Sequence, residues 1–210
     1  MKTVIINGSP RKNWNTAQLL REAEKGAKSA GAQVRYVDLY DLTYTGCRSC
    51  LACKRKDDAK PCGCHWKDEL TPVLESILDA DRLIMGTPIY YGEPSAAVRG
   101  LFERLVFPAM SYSTYQSIFK GKIDVDVIMT MNVGEAYYKQ GLEEKMKEYF
   151  APLHFLNGKL RLFPVCDTLQ VEDYSKYEMD GFSEEHKRQV RKEQFPDAIR
   201  QAFEIGCNQE

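Results

Sequence analysis

The chain lacks any apolar run approaching the roughly 18 residues that a membrane-spanning helix needs. Behind its first residues there is no basic cluster followed by an apolar stretch of roughly 7 to 15 residues, the mark of a secretory leader. It has no excess charge of either sign: 29 Lys and Arg stand against 30 Asp and Glu. No global field then draws a polyanion or an anionic membrane surface, so the expected partners include neither nucleic acid nor membrane. Internal repeats, low-complexity tracts and a clear linker are also missing. Histidine is scarce, and His65, His154 and His186 are scattered, which argues against a site built on imidazoles. What remains is ordinary for a folded chain: 210 residues, 43% apolar and 28% charged, enough for one domain with a real core. The expected compartment is the cytoplasm.

Two phosphate-binding signatures are absent as well. Without G-x-x-x-x-G-K-[ST] there is no lysine and magnesium-binding hydroxyl of the kind that nucleoside triphosphatases use. Without G-x-G-x-x-G the backbone has no glycine-lined approach to a pyrophosphate.

Short apolar runs alternate with helical patterns. Strands are expected at Val4–Ile6, Val34–Leu39, Arg82–Gly86, Ile123–Met131 and Lys159–Val165. Helices are expected at Thr16–Ala30, near Glu69–Ala80, from about Ser95 to Phe107, and around Leu142–Phe155. This alternation predicts an α/β fold, a three-layer doubly wound sandwich on a parallel sheet buried on both faces. The chain reads as a single domain over 1–210, with a Cys-rich insertion at about 40–66 and a C-terminal helical extension at about 183–205. Pro196 interrupts the pattern from Glu184 to Ile205, so the extension is a kinked helix or two short ones, the second carrying Pro196 in its first turn.

In such a sheet ligands sit beyond the carboxyl ends of the strands, at the switch point. The first βα turn, Asn7–Asn15, is long and rich in donors, and it feeds a helix N-terminus, where free amides and the helix dipole attract an anion. A hydroxyl-rich turn without the dinucleotide glycines suits one terminal monophosphate, as in flavin mononucleotide (FMN).

The stretch Gly8-Ser9-Pro10-Arg11-Lys12-Asn13-Trp14-Asn15-Thr16-Ala17 resembles the phosphate loop of the flavodoxin-like NAD(P)H-dependent FMN reductase family. Gly86-Thr87-Pro88-Ile89-Tyr90-Tyr91-Gly92, with Ser95 to Arg104 after it, is similar to that family's second flavin loop and its helix. The likeness covers positions 1 to about 165 and implies a five-stranded parallel sheet of order 2-1-3-4-5. It also implies that Ser9, Arg11, Asn15, Thr16 and Ala17 bind the phosphate, and that Thr87, Pro88, Ile89, Tyr90, Tyr91 and Gly92 meet the flavin ring. Trp14 departs from the family, which carries a small residue there; an indole at that place either covers the phosphate or packs on a partner chain. The fourth strand ends in Thr130-Met131-Asn132-Val133-Gly134, where Asn132 and the amides around Gly134 face the pyrimidine edge and favour the reduced state.

FMN would then be the cofactor and NAD(P)H the co-substrate, with a flavin, quinone or other small molecule as acceptor in ping-pong turnover. The cofactor carries the redox chemistry, so no catalytic residue of the protein is named. The resemblance and the exposed-looking tyrosines Tyr112, Tyr115, Tyr174 and Tyr177 together imply a homodimer.

Five of the seven cysteines crowd between 47 and 64. Cys47-x-x-Cys50-x-x-Cys53 aims three thiols at one centre, with Cys62 or Cys64 as a fourth. This spacing resembles the iron-sulfur flavoproteins of the same fold, although the gap after Cys53, across the charged run Lys54 to Lys60, is longer than theirs. Thiols without a metal are favoured over a 4Fe-4S cluster, and zinc comes last. With no metal assigned, the alternative function is an iron-sulfur electron carrier. Cys166 and Cys207 are isolated and read as packed.

Overall fold

The structure, a computed structural model, describes residues 1–57 and 62–208; the end of the charged run, Asp58 to Lys60, lies outside the described residues. Five parallel strands form the sheet: β1 (Lys2–Asn7), β2 (Gln33–Asp38), β3 (Arg82–Tyr90), β5 (Ile123–Thr130) and β6 (Asn157–Val165). Their order is β2-β1-β3-β5-β6, the expected one, with a two-residue strand β4 (Glu93–Pro94) added antiparallel to β3. The added strand arises because β3 runs four residues past its expected end at Gly86. Thr87 and Pro88 keep pairing with Met129 and Thr130, and Ile89 and Tyr90 fold back on Pro94 and Glu93. Tyr91 (φ 52°) and Gly92 (φ 74°) make the two-residue turn, whose left-handed geometry matches the twist of a hairpin.

Side chains alternate across the strands and meet a different helical layer on each face. Ile5, Ile84 and Ile128 pack with Leu19, Leu20 and Ala23 of α1 (Asn15–Ser29) and with Ala202 and Ile205 of α7 (Phe195–Cys207). Val4, Ile6, Leu83, Met85, Val127 and Met129 point to the opposite face. There they meet α2 (Thr71–Leu78), α3 (Ala96–Ala109) and α5 (Glu143–Phe150). Between β5 and α5 lie a single helical turn, α4 (Glu135–Tyr137), and a π-helical segment Tyr138–Leu142. The helix expected to reach Phe155 therefore stops at Phe150 and tightens into a 3₁₀ turn over Ala151–Leu156, where Pro152 removes a backbone donor.

The C-terminal pattern resolves into two helices, α6 (Glu184–Glu193) and α7, with Pro196 in the first turn of α7. α7 packs closely on α1. A Cβ on Gly26 would fall 2.1 Å from the Phe203 carbonyl oxygen, and one on Gly206 would fall 2.0 Å from that of Ala23. A buried charge cluster ties α7 to the sheet: Asp126 accepts from Arg82 (2.8 Å) and Arg161 (2.6 Å), and Arg82 also donates to the Gly206 carbonyl. Among the described residues no helix is long and apolar enough to cross a membrane.

Candidate active site

The parallel register brings Asn7, Pro88, Thr130 and Val165 to one edge of the sheet. Beyond that edge lies a cleft of about 150 Å³, lined by Ser9, Arg11, Trp14, Asn15 and Thr16, by Pro88, Ile89 and Tyr90, by Thr130, Met131 and Asn132, and by Thr168, Gln170 and Met179. The first βα turn is pinned there. Gly8 donates to the Gly86 carbonyl (2.8 Å), Ser95 Oγ donates to the Gly8 carbonyl (2.6 Å), and the Asn7 side chain accepts from the Ser9 amide (3.0 Å).

Trp14 precedes α1 and gives it no side-chain cap, so the first amides of the helix need an outside acceptor. Those residues are buried: Asn15 is 6% exposed, Thr16 2% and Ala17 0%. Across the cleft Asn132 Oδ1 and Gln170 Oε1 are buried acceptors without a hydrogen-bond partner. Leaving such atoms unpaired costs about 1–3 kcal/mol each, so this donor and acceptor set is complementary to a ligand with an anionic end and N–H or O–H donors. FMN has both. The residues present fit it.

Of the residues named from the sequence, the cleft gathers Ser9, Arg11, Asn15, Thr16, Pro88, Ile89, Tyr90 and Asn132. The others lie off its wall. Ala17 is fully buried in the first turn of α1. Thr87 uses its hydroxyl inside the chain, donating to the Pro88 carbonyl and accepting from the Ser95 amide. Tyr91 stands free at the hairpin tip, Gly92 lies against Lys145 and Leu142, and Gly134 precedes α4.

Two polar side chains of the loop are already engaged. Asn15 Nδ2 donates to the Leu169 carbonyl (2.8 Å), and Arg11 donates to the Gln170 carbonyl. Trp14 Nε1 joins them on Leu169 (3.0 Å), and its ring packs with Leu169, Val171, Tyr174 and Met179. The indole thus docks on the segment after β6 of its own chain.

That segment, with Thr168, Gln170 and Met179, escaped the sequence reading. Its signal was the rule already applied to β1, β3 and β5, since β6 ends at the same edge. It is held by Asp167, which accepts from Lys187 and, at 2.5 Å, pairs with His186 Nε2. Burial alone raises the Asp167 carboxyl, but the hydrogen bonds from Lys187 and His186 outweigh it and hold the pKa below the usual range. Tyr90, beside Tyr40 and Arg11, has its phenol raised by burial.

A model of the NADPH-dependent FMN reductase family matches residues 1–154. The chain belongs to that family. Curated relatives include an iron-sulfur flavoprotein of Archaeoglobus fulgidus, 36% identical over 104 residues, half of this chain and 48% of that protein. Another from Methanocaldococcus jannaschii is 33% identical over 104 residues, 50% of this chain and 51% of its own. The chain spans about half the length of the curated relatives it matches. Among solved structures, an NAD(P)H:quinone oxidoreductase from Methanothermobacter marburgensis superposes over 100% of this chain and 99% of its own, with a TM-score of 0.74 at 17% identity. That likeness establishes the doubly wound, flavodoxin-like fold for this member of the FMN reductase family.

Four cysteines of this member gather at a second place. Cys47, Cys50, Cys53 and Cys64 line one small cavity with Trp66, Arg104 and Phe107, while Cys62 is buried outside its wall. Ser49 (φ 52°) and Leu51 (φ 56°) turn the chain through left-handed positions between the thiols. The Ser49 amide donates to Cys47 Sγ (3.4 Å) and Arg104 Nε to Cys64 Sγ (3.3 Å). Burial raises the Cys53 thiol, and the neighbouring thiols raise it further against Lys54. None of the seven cysteines forms a disulfide. Among the described residues no group of three or more His, Cys, Asp or Glu side chains is placed to hold a metal ion.

Proposed function

We propose that the chain is an FMN-dependent oxidoreductase that takes hydride from NAD(P)H and passes electrons to a flavin, quinone or other small acceptor. The observation that carries this reading is the pairing of an uncapped, buried helix start with two unpartnered buried acceptors across one cleft. When bound, FMN supplies the redox chemistry.

The chain's own work is positioning. The first amides of α1 and the Ser9 hydroxyl receive the phosphate, Gln170 Oε1 takes a hydroxyl donor, and Asn132 Oδ1 takes the flavin N–H. Thr16 and Thr130 share a hydrogen bond of 2.7 Å that joins the phosphate loop to the end of β5 and sets the floor between these groups. Ile89 and Tyr90 offer flat apolar surface, and the half-exposed Tyr40 and Tyr90 leave the mouth open for a nicotinamide. Catalysis in this reading is approach and alignment, the part of the barrier that positioning removes. A homodimer and a cytoplasmic setting belong to the same proposal, as does the division into one domain with the 40–66 insertion and the 183–205 extension.

The test is anaerobic addition of NADPH or NADH to the flavin-loaded protein. Rapid bleaching of the flavin bands, reversed by a quinone, supports the reading; a flavin spectrum unchanged by either nicotinamide contradicts it.

A second reading rests on the shared cavity of Cys47, Cys50, Cys53 and Cys64. Four soft thiols around one centre suit a 4Fe-4S cluster, and amide and guanidinium donors to the sulfurs stabilise thiolate ligands. The protein would then relay electrons between that cluster and the flavin, and Cys64 in place of Cys62 would be the fourth ligand. Iron and acid-labile sulfide analysis of anaerobically purified protein separates the readings: iron absent after reconstitution leaves the thiols metal-free.

A further inference from the structure

The two cationic side chains of the first βα turn are already engaged. Arg11 is exposed, donates to the Gln170 carbonyl and lies over the Trp14 ring, and Lys12 is exposed and paired with Asp41. A different arginine stands behind the loop. Arg191 of α6 is partly buried; its Nη1 donates to Asn15 Oδ1 at 2.9 Å, its other nitrogen reaches Gln18 Oε1, and its guanidinium stacks 3.7 Å above the Phe195 ring. No carboxylate among the described residues pairs with it, its acceptors being the neutral amide oxygens of Asn15 and Gln18, and burial lowers its pKa.

A partly buried cation without a counter-ion is a cost that a nearby anion offsets. The helix cannot easily turn the charge away. One turn earlier Lys187, 4% exposed, is fixed between the Asp167 carboxylate and the Asn132 carbonyl (2.6 Å), and Val190 is buried. Both basic residues, four apart and so on one face, reach back toward the cleft, Lys187 to the segments after β5 and β6 and Arg191 to the first turn of α1.

We infer that Arg191, from a helix beyond the matched family segment, is a positioning residue that supplies the countercharge for the flavin phosphate through the start of α1. It holds the Asn15 side chain, and so the first turn whose amides face the phosphate, and it adds a full positive charge behind them. The inference rests on the FMN reading above.

The test compares FMN with riboflavin, which has the same ring and ribityl chain and no phosphate, by quenching of flavin fluorescence on the full chain. Arg191→Gln keeps a donor to Asn15 without the charge. It is expected to weaken FMN roughly tenfold, about 1.4 kcal/mol, and to leave riboflavin unchanged. Arg191→Lys keeps the charge and is expected to hold FMN within roughly threefold of the unaltered chain. Equal loss of both ligands in Arg191→Gln, or no loss of either, overturns the role. So does a folded Arg191→Lys that binds riboflavin normally and has lost FMN, a comparison that stands even if Arg191→Gln fails to fold. An unaltered chain that binds neither ligand overturns the flavin reading itself.

Discussion

The flavin cleft and the cysteine cavity are built in opposite ways. The cleft draws residues from four strand ends spread over Ser9 to Met179, which the parallel register brings to one edge of the sheet. The cysteine cavity takes its thiols from the short span of Cys47 to Cys64, and a fully buried side chain of the main fold donates into it. That side chain is Arg104. Fully buried on α3, it donates to the Thr45 carbonyl (3.1 Å), the Trp66 carbonyl (2.8 Å), Asp68 Oδ2 (2.5 Å) and Cys64 Sγ (3.3 Å). One site is thus assembled from strand ends and the loops that follow them, whereas the other is a local insertion tied to α3 by Arg104, by the Cys47 amide on Glu103 Oε2 (3.1 Å) and by Lys54 on the Phe107 and Met110 carbonyls.

The sharpest way to break this comparison is at the thiols. On the iron-sulfur reading, Cys64→Ser should abolish iron uptake on anaerobic reconstitution while Cys62→Ser retains it, and neither should alter flavin absorbance. Iron retained by Cys64→Ser would remove that thiol from the centre. Next in size is Arg104→Met, which strands Asp68 and two carbonyls. It should cost about 3–5 kcal/mol in urea unfolding, because one partner of a buried pair is removed and the other remains. A loss under about 1 kcal/mol would show that the insertion does not need its buried cation.

On the flavin side the expected effects are smaller, since each contact is one of many. Asn132→Ala should weaken FMN by roughly tenfold, about 1.4 kcal/mol, with little change in stability, because the Lys187 bond goes to the Asn132 backbone. The smallest effect concerns acid. Asp167 has a folded pKa below its unfolded value of about 3.9, so its contribution is complete above that value and is lost as pH falls through the folded one. Urea midpoints of Asp167→Asn should therefore lie below those of the unaltered chain at neutral pH and converge with them at the acid end.

The sequence exposed the strands and the two strand-end loops that line the cleft because each rests on local pattern: β-branched runs, a donor-rich turn, and a proline-tyrosine stretch at a strand end; the strand order came from the family resemblance. It did not expose the β3 extension, whose hairpin needs Tyr91 in a left-handed conformation that aromatic residues rarely adopt. Nor did it expose Gln170, Lys187 and Arg191. Their partners lie far off in the chain (Arg191 meets Asn15 and Gln18), and α6 reads as a solvated charged helix until packing buries Lys187. The choice of Cys64 over Cys62 also needed three dimensions, because the two are separated by one residue and only one faces the cavity.

The central claim, that one flavin lies across the ends of β1, β3, β5 and β6, is tested most directly by hydrogen exchange of the apoprotein with and without FMN. Slowed exchange confined to the amides of Ser9–Ala17, Met131–Gly134 and Thr168–Gln170 is the result expected. Protection absent there, or found instead along the outer groove of β6 at Leu160 and Leu162, would contradict it.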